Sequence, residues 1–330
     1  MDDAQRRLLS ALARRYYLED ASKTDLAAEF SISRFRVARL LQQARETGIV
    51  TIQIADHDER SESLSAELAH HLMLDECVVV KAGDDDADNR RRLAKVAAAR
   101  IQDQVNEGDV LGLSWGRTLA AIGEELADLP PCTIIQLTGT VGHDLRQSPV
   151  EVIRRIAGRS SVDAVAIFAP LFAASEAAAR TFRRDPAIRA ALQRYDHLDH
   201  AVLAVGSWVP PITQLDTLVT ERDLEELARE GTAAEVAGIF LRADGSPVDA
   251  AAARRRISVS VDELLATPQV TAVAGSVEKA PAIAATARSG LLTSLVTDDR
   301  TAASLLGLPA VTSRALVRQP RPHQGARRTS

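Results

Sequence analysis

The chain has 330 residues, 46% of them hydrophobic, and a formal net charge of −5 at pH 7. That length exceeds one small DNA-binding unit and predicts two domains, one of them with a sizeable core. The acidic balance excludes a protein that binds polyanions over its whole surface, so any basic function must be local.

Residues Gln5 to Tyr17 carry Leu8, Leu9, Leu12 and Tyr16 on one side and predict a first helix. A second helix starts at Lys23, with Leu26, Ala27 and Phe30 on one face. After a short polar turn, Ser33 is a good N-cap for a third helix whose stripe is Val37, Leu40, Leu41 and Ala44. That helix holds arginines and no acidic residue until Glu46. Arg36, Arg39 and Gln43 are spaced to share an outer face, and Arg34 sits in the first turn. Arginine pairs bidentately with guanine and glutamine with adenine in the major groove. Two helices, a tight turn and a basic second helix predict a helix-turn-helix that reads double-stranded DNA through Ser33, Arg34, Arg36, Arg39 and Gln43. An ordinary solvated basic helix is the competing reading. Gly48 reads as a C-cap, and Ile49 to Ile54 alternate like a strand.

Asp56 to Ser63 are polar and read as a hinge, followed by a helix over Leu64 to Leu72 and a short buried strand at Cys77 to Val80. The acidic run Asp84-Asp85-Asp86 and the basic run Arg90-Arg91-Arg92 read as solvated surface, the latter opening a helix from Asn89 to Val105. From Gly108 onward, strands and helices alternate. Strands are expected at Val110–Leu113, Thr133–Leu137, Ala164–Phe168, Ala201–Val205, Gly238–Leu241, Ile257–Val261, Val270–Val273 and Leu292–Val296. Helices are expected at Thr118–Leu126, Val150–Ala157, Ala187–Gln193 and Lys279–Ala287, with Thr297-Asp298 capping a last one. Continuous apolar strands between amphipathic helices predict a mostly parallel α/β sheet covered on both faces. Ligands on such sheets bind beyond the strand C-terminal ends. The tail from Arg314 is rich in Arg and Pro without acids and reads as disordered.

Four strand-end segments stand out. Gly112-Leu113-Ser114-Trp115-Gly116-Arg117-Thr118 runs from strand into helix, where backbone N–H groups can meet an anion. Thr138-Gly139 and Gly206-Ser207 end two further strands. Lys279 stands at a helix start, where the dipole disfavours a cation unless an anion is near. Glu235 could accept hydrogen bonds from sugar hydroxyls or be a solvated helix residue. Enzyme signals are thin. Gly112 to Gly116 fits the letters GxSxG without the partners of a hydrolase. His197 and His200 read as surface residues, and no metal or cofactor set is evident. The two cysteines, Cys77 and Cys132, match no disulfide framework and fit a reducing cytosol. Met1-Asp2-Asp3-Ala4 lacks signal-peptide form, and no apolar run could span a membrane, so a cytoplasmic protein without a membrane partner is expected.

These segments together resemble the SorC family of bacterial sugar-binding transcriptional regulators. The resemblance is carried by Ala13 to Tyr17, Ser33-Arg34, Arg39-Leu40-Leu41, and Ala44-Arg45 through Gly48-Ile49-Val50. Further along it is carried by Gly112 to Leu119, by Gly231 to Val248 with Glu235 and Asp244-Gly245, and by Ala274 to Ala280 with Leu295 to Asp298. It implies a helix-turn-helix domain at 1–55 and an effector-binding and oligomerisation domain at 64–313, to which composition adds a hinge at 56–63 and, outside the resemblance, a basic tail at 314–330 that reads as disordered. The larger domain would have the Rossmann-like fold of sugar-phosphate isomerases and CoA-transferases, acting as a sensor. Gly116, Arg117, Thr118 and Lys279 would hold phosphate, and Thr138, Gly139, Gly206, Ser207 and Glu235 would line a sugar or sugar alcohol. The chain would form dimers or tetramers on operator DNA. The alternative is a sugar-phosphate isomerase or deaminase-like enzyme with an added DNA module. Ser276 stands where the family's motif commonly has a second glycine, and Lys23-Thr24-Asp25 replaces a glutamine-led helix start.

Overall fold

The computed structural model describes residues 3–50, 59–141 and 148–321. Contacts divide the chain into Met1–His57 and Asp58–Ser330.

The first unit is built from α1 (Asp3–Tyr17), α2 (Lys23–Glu29) and α3 (Arg34–Glu46). Ser22 and Asp25 form a capping box at α2. The Ser33 side chain accepts from the Arg36 N–H and caps α3. Leu9, Leu12, Leu26, Val37, Leu41 and Ala44 make the core. The turn between α2 and α3 closes with Ser31 in the left-handed region at φ 51°, and Ile32 N–H donates to the Ala27 carbonyl at 3.0 Å. Gly48 lies just beyond α3 at φ 73°. Ile49 and Val50 are not in a strand, and 51–54 lie outside the described residues.

The second unit begins with α4 (Glu59–Leu72), whose first turn occupies part of the expected hinge. Then follow β1 (Glu76–Val80), α5 (Asp86–Gln104), β2 (Val110–Leu113), α6 (Arg117–Glu125), β3 (Thr133–Gln136), α7 (Pro149–Ala157) and β4 (Asp163–Val165). The middle of the chain forms α8 (Glu176–Arg184), α9 (Pro186–Leu192), β5 (His200–Ala204), β6 (Gly206–Ser207), α10 (Glu221–Arg229), β7 (Thr232–Val236) and β8 (Ile239–Arg242). It ends with α11 (Ala251–Arg254), α12 (Val261–Ala266), β9 (Gln269–Val273), α13 (Ala280–Ser289), β10 (Ser294–Asp298) and α14 (Asp299–Leu306).

Seven strands form one parallel sheet in the order β1-β10-β9-β5-β2-β3-β4. From β2 the chain steps outward through β3 to β4. It then returns beside β2 and steps the other way through β5, β9 and β10. The reversal between β2 and β5 is the switch point at which open α/β sheets leave a crevice. Strand side chains alternate between two cores. Ile135, Leu203 and Leu295 pack with α4 and α13, whereas Ile134, Val202 and Val296 pack with α5, α6 and α7. A second, antiparallel sheet, β6-β7-β8, stands beyond the C-terminal end of β5. Trp115, Trp208, Leu227 and Phe240 fill its own core, with the Trp208 and Phe240 rings edge to face at 5.3 Å.

Several expectations are corrected. Ile257 to Val261 is no strand. Its alternating apolar residues serve a segment laid across the end of β3, where Val259 N–H donates to the Leu137 carbonyl at 2.8 Å, and Val261 already begins α12. His200 is not a surface residue. It is buried in β5, with Nε2 3.2 Å from Asp109 Oδ2. Residues 314–321 are ordered, while 322–330 lie outside the described residues. The arginines of 314–321 donate to main-chain carbonyls ahead of the strands: Arg314 to Met73, and Arg318 to Thr267 and to Leu291, the last at 2.6 Å. Composition alone read this stretch as disordered because such bonds depend on carbonyls far away in sequence.

Asp298 ties three elements together. Its Oδ1 accepts from Thr301 N–H at 2.8 Å, and its Oδ2 accepts from Asn89 Nδ2 at 2.9 Å and Thr301 Oγ1 at 2.8 Å. The carboxylate is 2% exposed. Asp298→Ala removes the α14 cap and leaves buried donors unpaired, and should cost about 3 kcal/mol of unfolding free energy. Urea denaturation checks this. A loss under about 0.5 kcal/mol, the scale of an ordinary surface substitution, would contradict it.

Candidate functional site

A cleft opens where the C-terminal ends of β2, β5 and β9 meet the first turns of α5 and α6. Six of the nine predicted effector residues line it together: Gly116, Arg117, Thr118, Gly206, Glu235 and Lys279. Ser114 fixes the seam beneath. Its N–H donates to the Val202 carbonyl at 3.0 Å, and its Oγ accepts from Ala204 N–H at 3.1 Å. The serine of the GxSxG-like string is therefore a link between β2 and β5. Gly116 precedes α6 with φ 119° and ψ 170°, a conformation that favours glycine, and no side chain caps the helix there. The first-turn N–H groups of α6 are thus left facing the cleft mouth, beside Arg117 and Thr118.

Glu235 forms the floor. It lies in β7, opposite Gly206 in β6. A Cβ on residue 206 would fall 2.3 Å from Glu235 Oε1, so only glycine leaves room for the carboxyl. Oε2 accepts from Gly238 N–H at 3.3 Å, and Oε1 accepts from Thr213 Oγ1 at 3.5 Å. Burial pushes the carboxyl up to about 7, against the opposing pull of the Gly238 N–H and of Lys279. The Lys279 ammonium donates to the Val205 carbonyl at 2.9 Å. Burial lowers its pKa, Glu235 works against that, and Arg117 and Arg90 add to it.

The sequence reading missed the α5 wall. Arg91 and Arg92 pair with Asp88, at 3.1 and 2.9 Å, as surface arginines do. Arg90 instead lines the cleft with Asp86 and Asn89, its pKa lowered by burial and by Arg117. The available signal was the position of this run, near the start of the helix that follows the first strand of a parallel sheet. Ser276, on the same rim, has φ 108°, unusual for a residue with a Cβ and typical of strained functional loops.

Thr138, Gly139 and Ser207 are placed elsewhere. The β3 end is covered by other backbone: Gly139 N–H donates to the Ile257 carbonyl at 2.8 Å, and a Cβ there would lie 2.6 Å from Ala169 O. Thr138 is fully buried beside it. Ser207 follows Gly206 in β6, so its side chain turns to the opposite face, where it is also fully buried.

In the first unit, Arg34, Arg36 and Arg39 are exposed, and Ser33 is the α3 cap. Gln43 is half-buried and its Oε1 accepts from Gln5 Nε2 on α1 at 3.4 Å. With Val37, Leu40, Leu41 and Ala44 inward, a turn of about 100° per residue puts Phe35, Arg39 and Gln42 at the centre of the outer face. Arg36 and Gln43 flank it.

Among the described residues no cluster suited to a metal ion is found, and no helix is long and apolar enough to cross a membrane. Cys77 and Cys132 are free and buried, their thiols pushed up to about 12 and about 11 by burial.

Residues 56–307 match the family described as "Putative sugar-binding domain". The chain is 26% identical over 313 residues to the transcriptional regulator LsrR of Klebsiella pneumoniae, covering 92% of this chain and 94% of that one. It is 26% identical over 317 residues to the erythritol catabolism regulatory protein EryD of Brucella abortus, covering 94% and 99%. Its fold superposes on the full-length sorbitol operon regulator SorC of Klebsiella pneumoniae with a TM-score of 0.84 at 22% identity, over 93% and 99% of the two chains.

The floor of the cleft sets a pH test. A carboxyl raised from 4.5 to about 7 in the fold stabilises below its unfolded pKa, and that contribution is lost as pH rises through the folded value. Glu235→Gln has no such loss. Relative to wild type it should therefore gain on the order of 3 kcal/mol between pH 4.5 and 7.5. Thermal melts across this range check it, and a difference that stays constant with pH would contradict it.

Proposed function

Because the chain belongs to the SorC family of sugar-binding transcriptional regulators, we propose that its cleft holds a phosphorylated sugar or sugar alcohol that controls operator binding. The chain is a DNA-binding transcriptional regulator with a sugar-binding effector domain. Its relatives are named as regulators, and the alternative of an isomerase or deaminase-like enzyme yields to that.

One observation carries the phosphate. Arg90, Arg117 and Lys279 converge on the uncapped start of α6, and burial first, with their mutual repulsion added to it, pushes down the pKa of Lys279 and Arg90. A phosphate there would relieve that repulsion and receive the α6 N–H groups. In this reading Arg117, Thr118, Lys279 and the Gly116 turn take the phosphate. Glu235, beneath Gly206, takes sugar hydroxyls, as donor or acceptor according to its protonation. Trp115 offers an apolar wall. Thr138, Gly139 and Ser207 support the cleft from behind. The effector acts by binding the DNA-competent and DNA-incompetent states unequally. Self-association as a dimer or tetramer would set paired α3 helices on half-sites of cytoplasmic operator DNA, through Ser33, Arg34, Arg36, Arg39 and Gln43.

A thermal-shift screen of sugars and polyols, each with and without phosphate, tests the cleft. At 100 times its Kd, an effector stabilises by about 2.7 kcal/mol. Lys279→Ala should weaken the phosphorylated hit by about tenfold or more and its unphosphorylated parent far less, read by calorimetric titration. Equal binding of the phosphorylated hit by variant and wild type would remove Lys279 from the phosphate site.

A further inference from the structure

Phe35 is 90% exposed. It is the second residue of α3, between Arg34 and Arg36, with Arg39 one turn further on. It lies at the centre of the face opposite Val37, Leu40, Leu41 and Ala44 and takes no part in that core. Large aromatic side chains ordinarily contribute by burial, so a phenyl ring held in water at this position costs solvation in the free protein. A helix needs no phenylalanine there, and neither does contact with phosphate, which calls for donors and charge.

The position selects the partner. In a helix-turn-helix, the N-terminal residues of the second helix meet base edges in the major groove. Arg34, Arg36 and Arg39 surround the ring with positive charge, and α3 carries no acidic residue before Glu46. These residues would bring it against duplex DNA rather than against an apolar protein surface. A phenyl ring can make no hydrogen bond to a base edge. The one apolar group the major groove offers is the 5-methyl of thymine. Resting on the reading of α3 as the DNA-reading helix, we propose that Phe35 is a specificity-determining residue that reads a thymine methyl, next to the base pair met by Arg39. The predicted set of DNA contacts was all polar and omitted it. Gln43, turned partly toward α1, is a flank of this face.

The test uses the full chain. Duplexes are selected from a randomised pool, with and without a mixture of phosphorylated sugars, and each thymine of the recovered site is replaced in turn by deoxyuridine, which lacks only the methyl. At one thymine per half-site the replacement should weaken wild-type binding by about fourfold, the value of one buried methyl-sized group. Phe35→Ala should bind the thymine duplex about as weakly as wild type binds the deoxyuridine duplex, and should not distinguish the two. An exposed side chain can be truncated without unfolding the unit, and the melting temperature of the variant verifies this. Suppose the wild type recovers a site that Arg39→Ala loses, yet no thymine separates wild type from Phe35→Ala. The proposal then fails while DNA reading stands. It fails equally if Phe35→Ala weakens thymine and deoxyuridine duplexes alike. If wild type recovers no duplex under either condition, the DNA reading of α3 falls and takes the proposal with it.

Discussion

Ser114 joins β2 to β5 at the place where the sheet reverses its order, and the rest of the effector unit depends on that reversal. Parallel strands that step away in opposite directions carry their connecting segments apart and leave a gap between them. Into this gap come the start of α6, the Val205-Gly206 turn, and the 275–279 segment after β9. β7 then brings Glu235 under Gly206. The floor is a carboxyl whose pKa burial raises to about 7, and the rim brings Arg90, Arg117 and Lys279 together. Neither property belongs to one segment of sequence. Both arise because distant strand ends are forced to the same edge.

That origin explains what could be read in advance. The strands β2, β3, β5 and β9 were legible because each is a short apolar run bounded by turn residues, and their number and helix spacing required a parallel sheet. Gly116, Arg117 and Lys279 were legible because a glycine before a helix and a lysine at a helix start are locally odd. Arg90 was not legible, since nothing local separates it from Arg91 and Arg92. Only the position of α5 after β1 aims it at the cleft. Thr138-Gly139 looked like Gly206-Ser207 in sequence, yet the 257–259 segment covers the first pair, whereas Gly206 of the second lines the cleft. Glu235 was ambiguous because β7 is short and paired to a two-residue strand, a pattern with no clear periodicity.

The three-helix unit has a similar history. Caps, turn and core stripe were visible because they obey local rules, and the structure keeps Ser33 as the cap and Val37, Leu40 and Leu41 inside. The outer face was set slightly off centre. Choosing polar residues by their chemistry favoured Arg36, Arg39 and Gln43, whereas the helical angle measured from the buried residues favours Phe35, Arg39 and Gln42. An exposed aromatic is informative because folding alone gives no reason to put it there.

The central claim is that the anion held at the cleft governs the DNA affinity of α3. Its most direct test is the affinity of the full chain for a selected duplex at fixed salt, with and without a saturating phosphorylated sugar that raises the melting temperature. The ligand should shift the DNA Kd by about fivefold or more, in either direction, and in Lys279→Ala the ligand concentration that gives half of this shift should rise by about tenfold or more. A ligand that saturates the cleft and leaves DNA affinity unchanged would contradict the account.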